Sequence, residues 1–249
     1  METAVKRLEG NNALVTGAAR RIGRAISLAL AREGANVAVH YSSSAREAEK
    51  LAGEIEALGV RAVALEADLS DSGALGELVD RAGETLGRLE ILVNNASVFP
   101  SDTLETVELE SLQENVRVNA WAPLVLTRAF AVQTERGHVV NLLDSRVSGF
   151  DRTHVAYILS KHVLSALTRM TALELAPGIA VNGIAPGLIL APAGEDESYV
   201  ERLAQTLPLK RSGTPEDIAA AVVYLVTSEF VTGETIYVDG GRHLKESAE

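Results

Sequence analysis

Short runs rich in β-branched residues alternate with longer stretches of helical periodicity along most of the 249 residues. The short runs fall at 13–16, 36–40, 60–66, 89–93, 139–143, 180–184 and 235–238. Helical patterns occupy 21–32, the segment after 40 to about 58, 71–86, 109–133 and 153–175, and Gly34 closes the first of them as a natural C-cap. Parallel strands need crossovers of about a dozen residues, and these spacings supply them. The rhythm therefore predicts an α/β fold, with helices on both faces of a parallel sheet. No linker rich in Pro, Gly or Ser and no internal repeat interrupts it, so one domain over 1–249 is the simplest organisation. The stretch 186–198 lacks clear periodicity, and a lid covering about 186–210 is expected there.

Composition narrows the function classes. The chain is 47% hydrophobic and 23% charged, ordinary values for a globular protein. It has no cysteine, so disulfides, thiolate zinc sites and thiolate nucleophiles are excluded. A net charge of −11 repels phosphate backbones, so nucleic acid is an unexpected partner. No run of 18 uncharged apolar residues predicts a membrane span. The first ten residues mix charges without a long apolar run, and a cytoplasmic protein is the expectation. The five histidines match no zinc spacing, so no metal is expected.

The first strand runs into Thr16-Gly17-Ala18-Ala19-Arg20-Arg21-Ile22-Gly23, which opens a helix. Glycine allows a tight turn and close backbone approach, and helix N-terminal amides then face an anion such as a pyrophosphate. This is not the G-x-G-x-x-G spacing. Arg21 stands where a further glycine is expected, so a cation can lie over the phosphates or reach a substrate. The second strand ends in His40-Tyr41-Ser42-Ser43-Ser44. An NAD enzyme places an acidic residue at such a strand end to hold the ribose hydroxyls; its absence, with Arg20 nearby in sequence, favours NADP. Downstream, Tyr157 and Lys161 share one helix face at a spacing of four. A neighbouring ammonium is expected to lower the phenol pKa and make it a general acid.

The set of Thr16-Gly17 to Gly23, Asp68-Leu69, Asn94-Asn95-Ala96, Asn119, Tyr157 to Lys161, Val181-Asn182, Pro186-Gly187 and Val238-Asp239-Gly240-Gly241 resembles the short-chain dehydrogenase/reductase family, in family order and over nearly the whole chain. The resemblance implies a Rossmann-type doubly wound sheet of about seven strands in the order 3-2-1-4-5-6-7. It implies that Gly17, Arg21 and Ile22 line the cofactor phosphates, with Arg20, His40, Tyr41, Ser42 and Ser43 around the 2′-phosphate end. Asp68 and Leu69 would flank the adenine, and Asn95, Ala96 and Ser97 would pass beside the ribose. Lys161 would hold the nicotinamide ribose, Pro186, Gly187 and Leu188 would brace the nicotinamide, and Asn119 would support a proton-supplying water chain. A homotetramer is also implied.

The family's usual catalytic serine precedes the tyrosine by 13 residues, and that position is Asp144 in this chain. Ser145 is adjacent but out of phase, because neighbours on a strand point to opposite faces. A carboxyl suits a substrate with an amidine-like N–H and amino group, or can relay a proton to a ring nitrogen. This substitution, with Thr16 to Arg21, His40-Tyr41 and Asn94 to Ser97 followed by Phe99, is similar to the pteridine reductase branch, which includes dihydromonapterin and dihydrofolate reductases of the short-chain type. That resemblance implies that Phe99 stacks on the pterin and that Arg21 lies near substrate and pyrophosphate. Acidic Glu195, Asp196 and Glu197 disfavour a glutamate-bearing tail and favour a smaller or uncharged pterin. The expected reaction is NADPH-dependent reduction of a pterin C=N bond, with Tyr157 as acid, tuned by Lys161 and assisted by Asp144. A carbonyl reductase of the same fold, acting on a 3-oxoacyl thioester or another ketone, and an NADP-binding regulator without turnover are the alternatives.

Overall fold

A computed structural model describes residues 6–191 and 197–246 of the chain. Seven parallel strands form one sheet in the order β3-β2-β1-β4-β5-β6-β7, the expected order. They are β1 (Asn12–Val15), β2 (Asn36–Tyr41), β3 (Ala62–Glu66), β4 (Ile91–Asn94), β5 (Gly137–Leu142), β6 (Ile179–Pro186) and β7 (Thr235–Val238). Strand alternation divides the core into two layers. Ala13, Val15, Val37, Val39, Ile91 and Val93 point to one face, where they meet Ile26, Leu30, Leu51, Ile55 and Val222. Leu14, Ala38 and Leu92 point to the other, against Leu75, Leu78, Leu126 and Phe130. The first layer is roofed by α1 (Arg21–Arg32), α2 (Ala45–Glu56) and α8 (Pro215–Val226). The second is roofed by α3 (Ser72–Leu86), α5 (Ala122–Gln133) and α6 (Val155–Leu175).

Three departures from the sequence reading bear on the site. The helical pattern at 109–133 is not one α-helix: α4 (Leu109–Val116) passes through a π-turn, Arg117–Trp121, into α5. Ala122 N–H bonds back to the carbonyl of Arg117, the signature of one extra residue in the turn. The extra residue turns the helix, so that α4 packs on α6 whereas α5 packs on α3. Secondly, the segment expected to form a lid contains a helix, α7 (Glu197–Ala204), while residues 192–196 lie outside the described residues. Glu195 and Asp196, and the side chain of Glu197, therefore have no described position. Thirdly, α8 was not anticipated, although Thr214 and Asp217 form a reciprocal capping box with Pro215 just inside the helix start. A short α9 (Arg242–Glu246) follows β7. Among the described residues, no helix is long and apolar enough to cross a membrane.

Candidate active site

The strand order reverses between β1 and β4, and a cavity of about 450 Å³ opens there at the carboxyl ends of the strands. Its floor is the glycine turn. Thr16 Oγ1 accepts hydrogen bonds from the backbone N–H groups of Asn95 and Ala96, at 2.9 and 3.0 Å. Asn95 Nδ2 donates to the carbonyls of Thr16 and Gly17, at 2.8 and 3.1 Å. The turn after β1 is thereby laced to the end of β4. A Cβ at Gly23 would stand 2.3 Å from the Gly17 carbonyl oxygen and 2.6 Å from Asn95 Nδ2, so only glycine permits this approach. Arg21, at φ +54°, holds the left-handed conformation that glycine usually takes, at a cost of about 1–2 kcal/mol. The N-terminus of α1 has no side-chain cap and no acidic residue in its first turn. Its amides and the cations Arg20 and Arg21 meet the requirements of a pyrophosphate.

His40 closes this turn from β2. It accepts from Gly17 N–H through Nδ1 at 3.0 Å, and its Nε2 lies 3.1 Å from the Ala67 carbonyl. An amide donor on one nitrogen and a carbonyl on the other require the neutral ring with its proton on Nε2. Burial accordingly pulls its pKa down to about 4. His40 thus scaffolds the cavity wall. Ser42, Asp68, Leu69, Ala96 and Ser97 also line the cavity, whereas Tyr41 and Ser43 are not in its wall, and Tyr41 packs on the core beneath. Arg20 is paired with Glu47 at the start of α2. Asp68 lines the cavity and also bonds Ser70, whose N–H and hydroxyl donate to it at 2.9 and 2.8 Å. These bonds hold its carboxyl below the ordinary value.

A second cavity, of about 250 Å³, adjoins the first and shares Arg21, Ile22, Asn95 and Ser97 with it. Phe99, Asp144, Tyr157 and Lys161 line it, roofed by Leu188 and by Tyr199 of α7. Asp144 follows β5 in extended backbone, φ −147° and ψ 147°, so the strand alternation continues through it. One carboxylate oxygen accepts from Arg146 N–H at 2.8 Å, and the other accepts from the Tyr157 hydroxyl at 3.1 Å. Ser145 is fully buried and its hydroxyl has no hydrogen-bond partner. The carboxylate, not the serine, faces the tyrosine.

The electrostatics correct one expectation. Lys161 does not lower the phenol pKa in this structure. Burial, then the charge of Asp144 and its hydrogen bond, hold Tyr157 well above 10. Lys161 Nζ instead donates to the Leu142 carbonyl at 2.7 Å, 5.6 Å from the centre of the Tyr157 ring. Burial pulls the ammonium down to about 8, with Asp144 opposing. Tyr157 is therefore a neutral phenol that donates to a carboxylate.

Asn119 occupies the π-turn and is fully buried. Its Oδ1 accepts from Val98 N–H and Ser97 Oγ, and its Nδ2 faces the Val98 carbonyl, Ser160 Oγ and Asn115 Oδ1, all within 2.8–3.2 Å. Protein groups satisfy this amide, so its observed work is to clamp the Ser97–Val98 strand exit to α6. Phe99 is 42% exposed, and its ring stacks on His154 at 4.0 Å and meets Tyr157 edge-on at 4.5 Å. Sequence reasoning gave His154 no role. Arg21 reaches across from the glycine turn to donate to the Ala191 carbonyl at 2.9 Å. Pro186 ends β6, and a Cβ at Gly187 would stand 2.5 Å from Asp239 Cα, which explains the glycine.

A doubly wound sheet, an uncapped basic helix start at its switch point, and a Tyr–Lys pair in the adjoining cavity define a dinucleotide-dependent oxidoreductase of Rossmann type. Comparison with known proteins gives the family. Residues 17–243 match the family described as Enoyl-(Acyl carrier protein) reductase. L-rhamnose 1-dehydrogenase (NAD(P)(+)) of Sphingomonas sp. (strain SKA58) is 34% identical over 253 residues, 96% of this chain and 99% of that protein. The 3-oxoacyl-[acyl-carrier-protein] reductase FabG of Staphylococcus epidermidis is 32% identical, over 94% of this chain and 99% of its own. The solved structure of FolM alternative dihydrofolate reductase 1 from Brucella canis, complexed with NADP, superposes with a TM-score of 0.92 at 35% identity, covering 96% of each chain. The chain belongs to the short-chain dehydrogenase/reductase family.

Proposed function

We propose that this protein is an NADPH-dependent reductase of a pterin or dihydropteridine C=N bond. The observation that carries the reading is the Asp144 carboxylate directed at the Tyr157 hydroxyl on the wall of the smaller cavity. A carboxylate accepts N–H groups and donates nothing, so it matches the N–H and amino edge of a pterin better than it matches a ketone oxygen. Similarity to the FolM alternative dihydrofolate reductase 1 of Brucella canis supports the same substrate class.

The residues present fit the cofactor. The Gly17 turn, the open start of α1 and Arg21 would hold the pyrophosphate, and Arg20 and Ser42, with no acidic residue in the sequence His40 to Ser44 that ends β2, suit a 2′-phosphate. Lys161, Pro186, Gly187 and Leu188 line the adjoining cavity, where the nicotinamide end would rest. Bound there, NADPH supplies the hydride. Tyr157, its pKa raised by burial and by Asp144, carries the proton on Oη and delivers it to the ring nitrogen as that nitrogen becomes basic. Asp144 accepts the substrate's N–H and fixes which nitrogen faces the phenol. Lys161 places positive charge beneath the tyrosine that has lost its proton. Phe99 offers an aromatic wall to a flat ring, and Arg21 steadies the charged end. The chain works as one domain, with Leu188, Tyr199 and Leu203 of the expected lid lining the site. A cytoplasmic location and a homotetramer belong to the same reading, the homotetramer supported by the apolar side chains that α5 and α6 expose: Val132, Met170 and Leu173.

Replacing Tyr157 by Phe removes the proton donor. NADPH oxidation with dihydrobiopterin or dihydromonapterin is expected to fall about 10²- to 10⁴-fold, with NADPH binding retained. Undiminished turnover rejects Tyr157 as the acid. The names of the relatives favour a second reading, reduction of a ketone. A panel in which ketones are reduced and no pterin is would establish that one, and cofactor binding without any turnover would establish a regulator.

A further inference from the structure

Two walls of the smaller cavity, Phe99 and Asp144, come from different loops, yet one buried carboxylate ties them together. Asp151, with 7% of its side chain exposed, pairs through Oδ2 with the Arg146 guanidinium and with His154 Nδ1, the latter at 2.9 Å. Its Oδ1 accepts from Thr153 N–H and Oγ1, both at 2.9 Å, which pins the carboxylate in place. On one side, the Arg146 backbone N–H holds Asp144 Oδ1. On the other, His154 presents its flat ring to Phe99, 4.0 Å away and within 15° of parallel. His154 does not line the cavity and so acts through Phe99. Burial and the Arg146 charge hold His154 below its ordinary pKa, so a neutral ring donates its Nδ1 proton to Asp151.

We propose that Asp151 is a positioning residue: through Arg146 and His154 it sets the separation between the Asp144 carboxylate and the Phe99 ring, and so selects for a planar substrate. This selection deepens the pterin reading and rests on it. A half-exposed aromatic on a loop has free rotation about its side-chain bonds, and a stacked partner removes that freedom. The buried carboxylate in turn removes the freedom of the partner.

The test compares Asp151→Asn, His154→Ala and His154→Phe with the wild type. An aromatic pair contributes up to about 1.5 kcal/mol, so KM for dihydrobiopterin is expected to rise about ten-fold in Asp151→Asn and His154→Ala. The kcat, the NADPH affinity and the KM for a small aliphatic ketone are expected to stay put, and His154→Phe, which keeps a flat ring, restores the pterin KM. A loss confined to kcat, an equal KM rise for both substrates, or no recovery in His154→Phe overturns the proposal. A second measurement needs no substrate. The His154 ring-proton resonance, shifted upfield by Phe99, is expected to move in both Phe99→Leu and Asp151→Asn. A resonance unmoved by Asp151→Asn overturns the coupling whatever the enzyme reduces, whereas a moved resonance with no pterin turnover in the wild type overturns the pterin reading and its planar selection but keeps the coupling.

Discussion

Replacing Asp144 by Asn exchanges one carboxylate oxygen for an amide nitrogen and leaves the cavity shape unchanged. The retained oxygen still accepts the Arg146 N–H now held at 2.8 Å. The new amino group faces the Tyr157 hydroxyl at the present 3.1 Å, so the hydrogen bond reverses, with the amide donating and the phenol oxygen accepting. Two of the three causes that raise the Tyr157 pKa, the charge of Asp144 and its acceptor oxygen, disappear together, so the phenol titrates lower than in the wild type. Lys161 loses the one charge that raises it and falls below its present value of about 8. A hydrogen bond to a charged group contributes about 1.5–3 kcal/mol, which corresponds to about 10- to 150-fold in kcat/KM. The assay follows NADPH oxidation with a dihydropterin, beside an ultraviolet titration of the tyrosines in which Tyr157→Phe identifies the relevant step. A kcat/KM indistinguishable from wild type, or a tyrosine titration that does not move down, refutes the argument.

Two further outcomes follow from the glycine turn. His40 binds a proton less readily in the folded chain than in the unfolded one, so stability is present above the unfolded pKa of 6.5 and is lost as pH falls toward about 4. The loss amounts to roughly 3 kcal/mol at its limit; urea titrations over that window detect it, and a His40→Gln variant is expected to show a shallower slope. Gly23→Ala drives a methyl group into the Gly17 carbonyl and the Asn95 amide. Such overpacking costs about 1–3 kcal/mol, and fluorescence titration is expected to show a weaker NADPH affinity together with a lower melting temperature; an unchanged affinity contradicts the close packing of that turn.

The strand positions and the helix α1 were legible because a sheet buried on both faces needs continuous apolar runs, and each crossover needs its own amphipathic stretch. The facing of Asp144 was legible for a similar reason: extended backbone carries the two-residue alternation past the last sheet hydrogen bond. The stacking of Phe99 on His154 was not, since it joins two irregular loops that only the folded sheet brings together. Nor was the direction of the Tyr157 shift. Spacing puts Lys161 on the same helix face, but whether a phenol gains or loses its proton depends on burial and on which partner accepts it. The helix α8 carried a readable start signal in Thr214 to Asp217, whereas the π-turn at Asn119 has no local signature in residue type.

That π-turn makes chain length a functional parameter. Removing any one residue between Arg117 and Trp121 would leave an unbroken α-helix of good sequence, at little cost to helix content. It would also remove the bend that such a turn puts into the helix and the wide turn that carries Asn119, loosening both the packing of α5 on α3 and the hold of the Asn119 amide on the strand exit it secures. A deletion scan there is thus expected to give proteins that remain helical by circular dichroism but no longer hold the cofactor floor and the tyrosine helix in one frame.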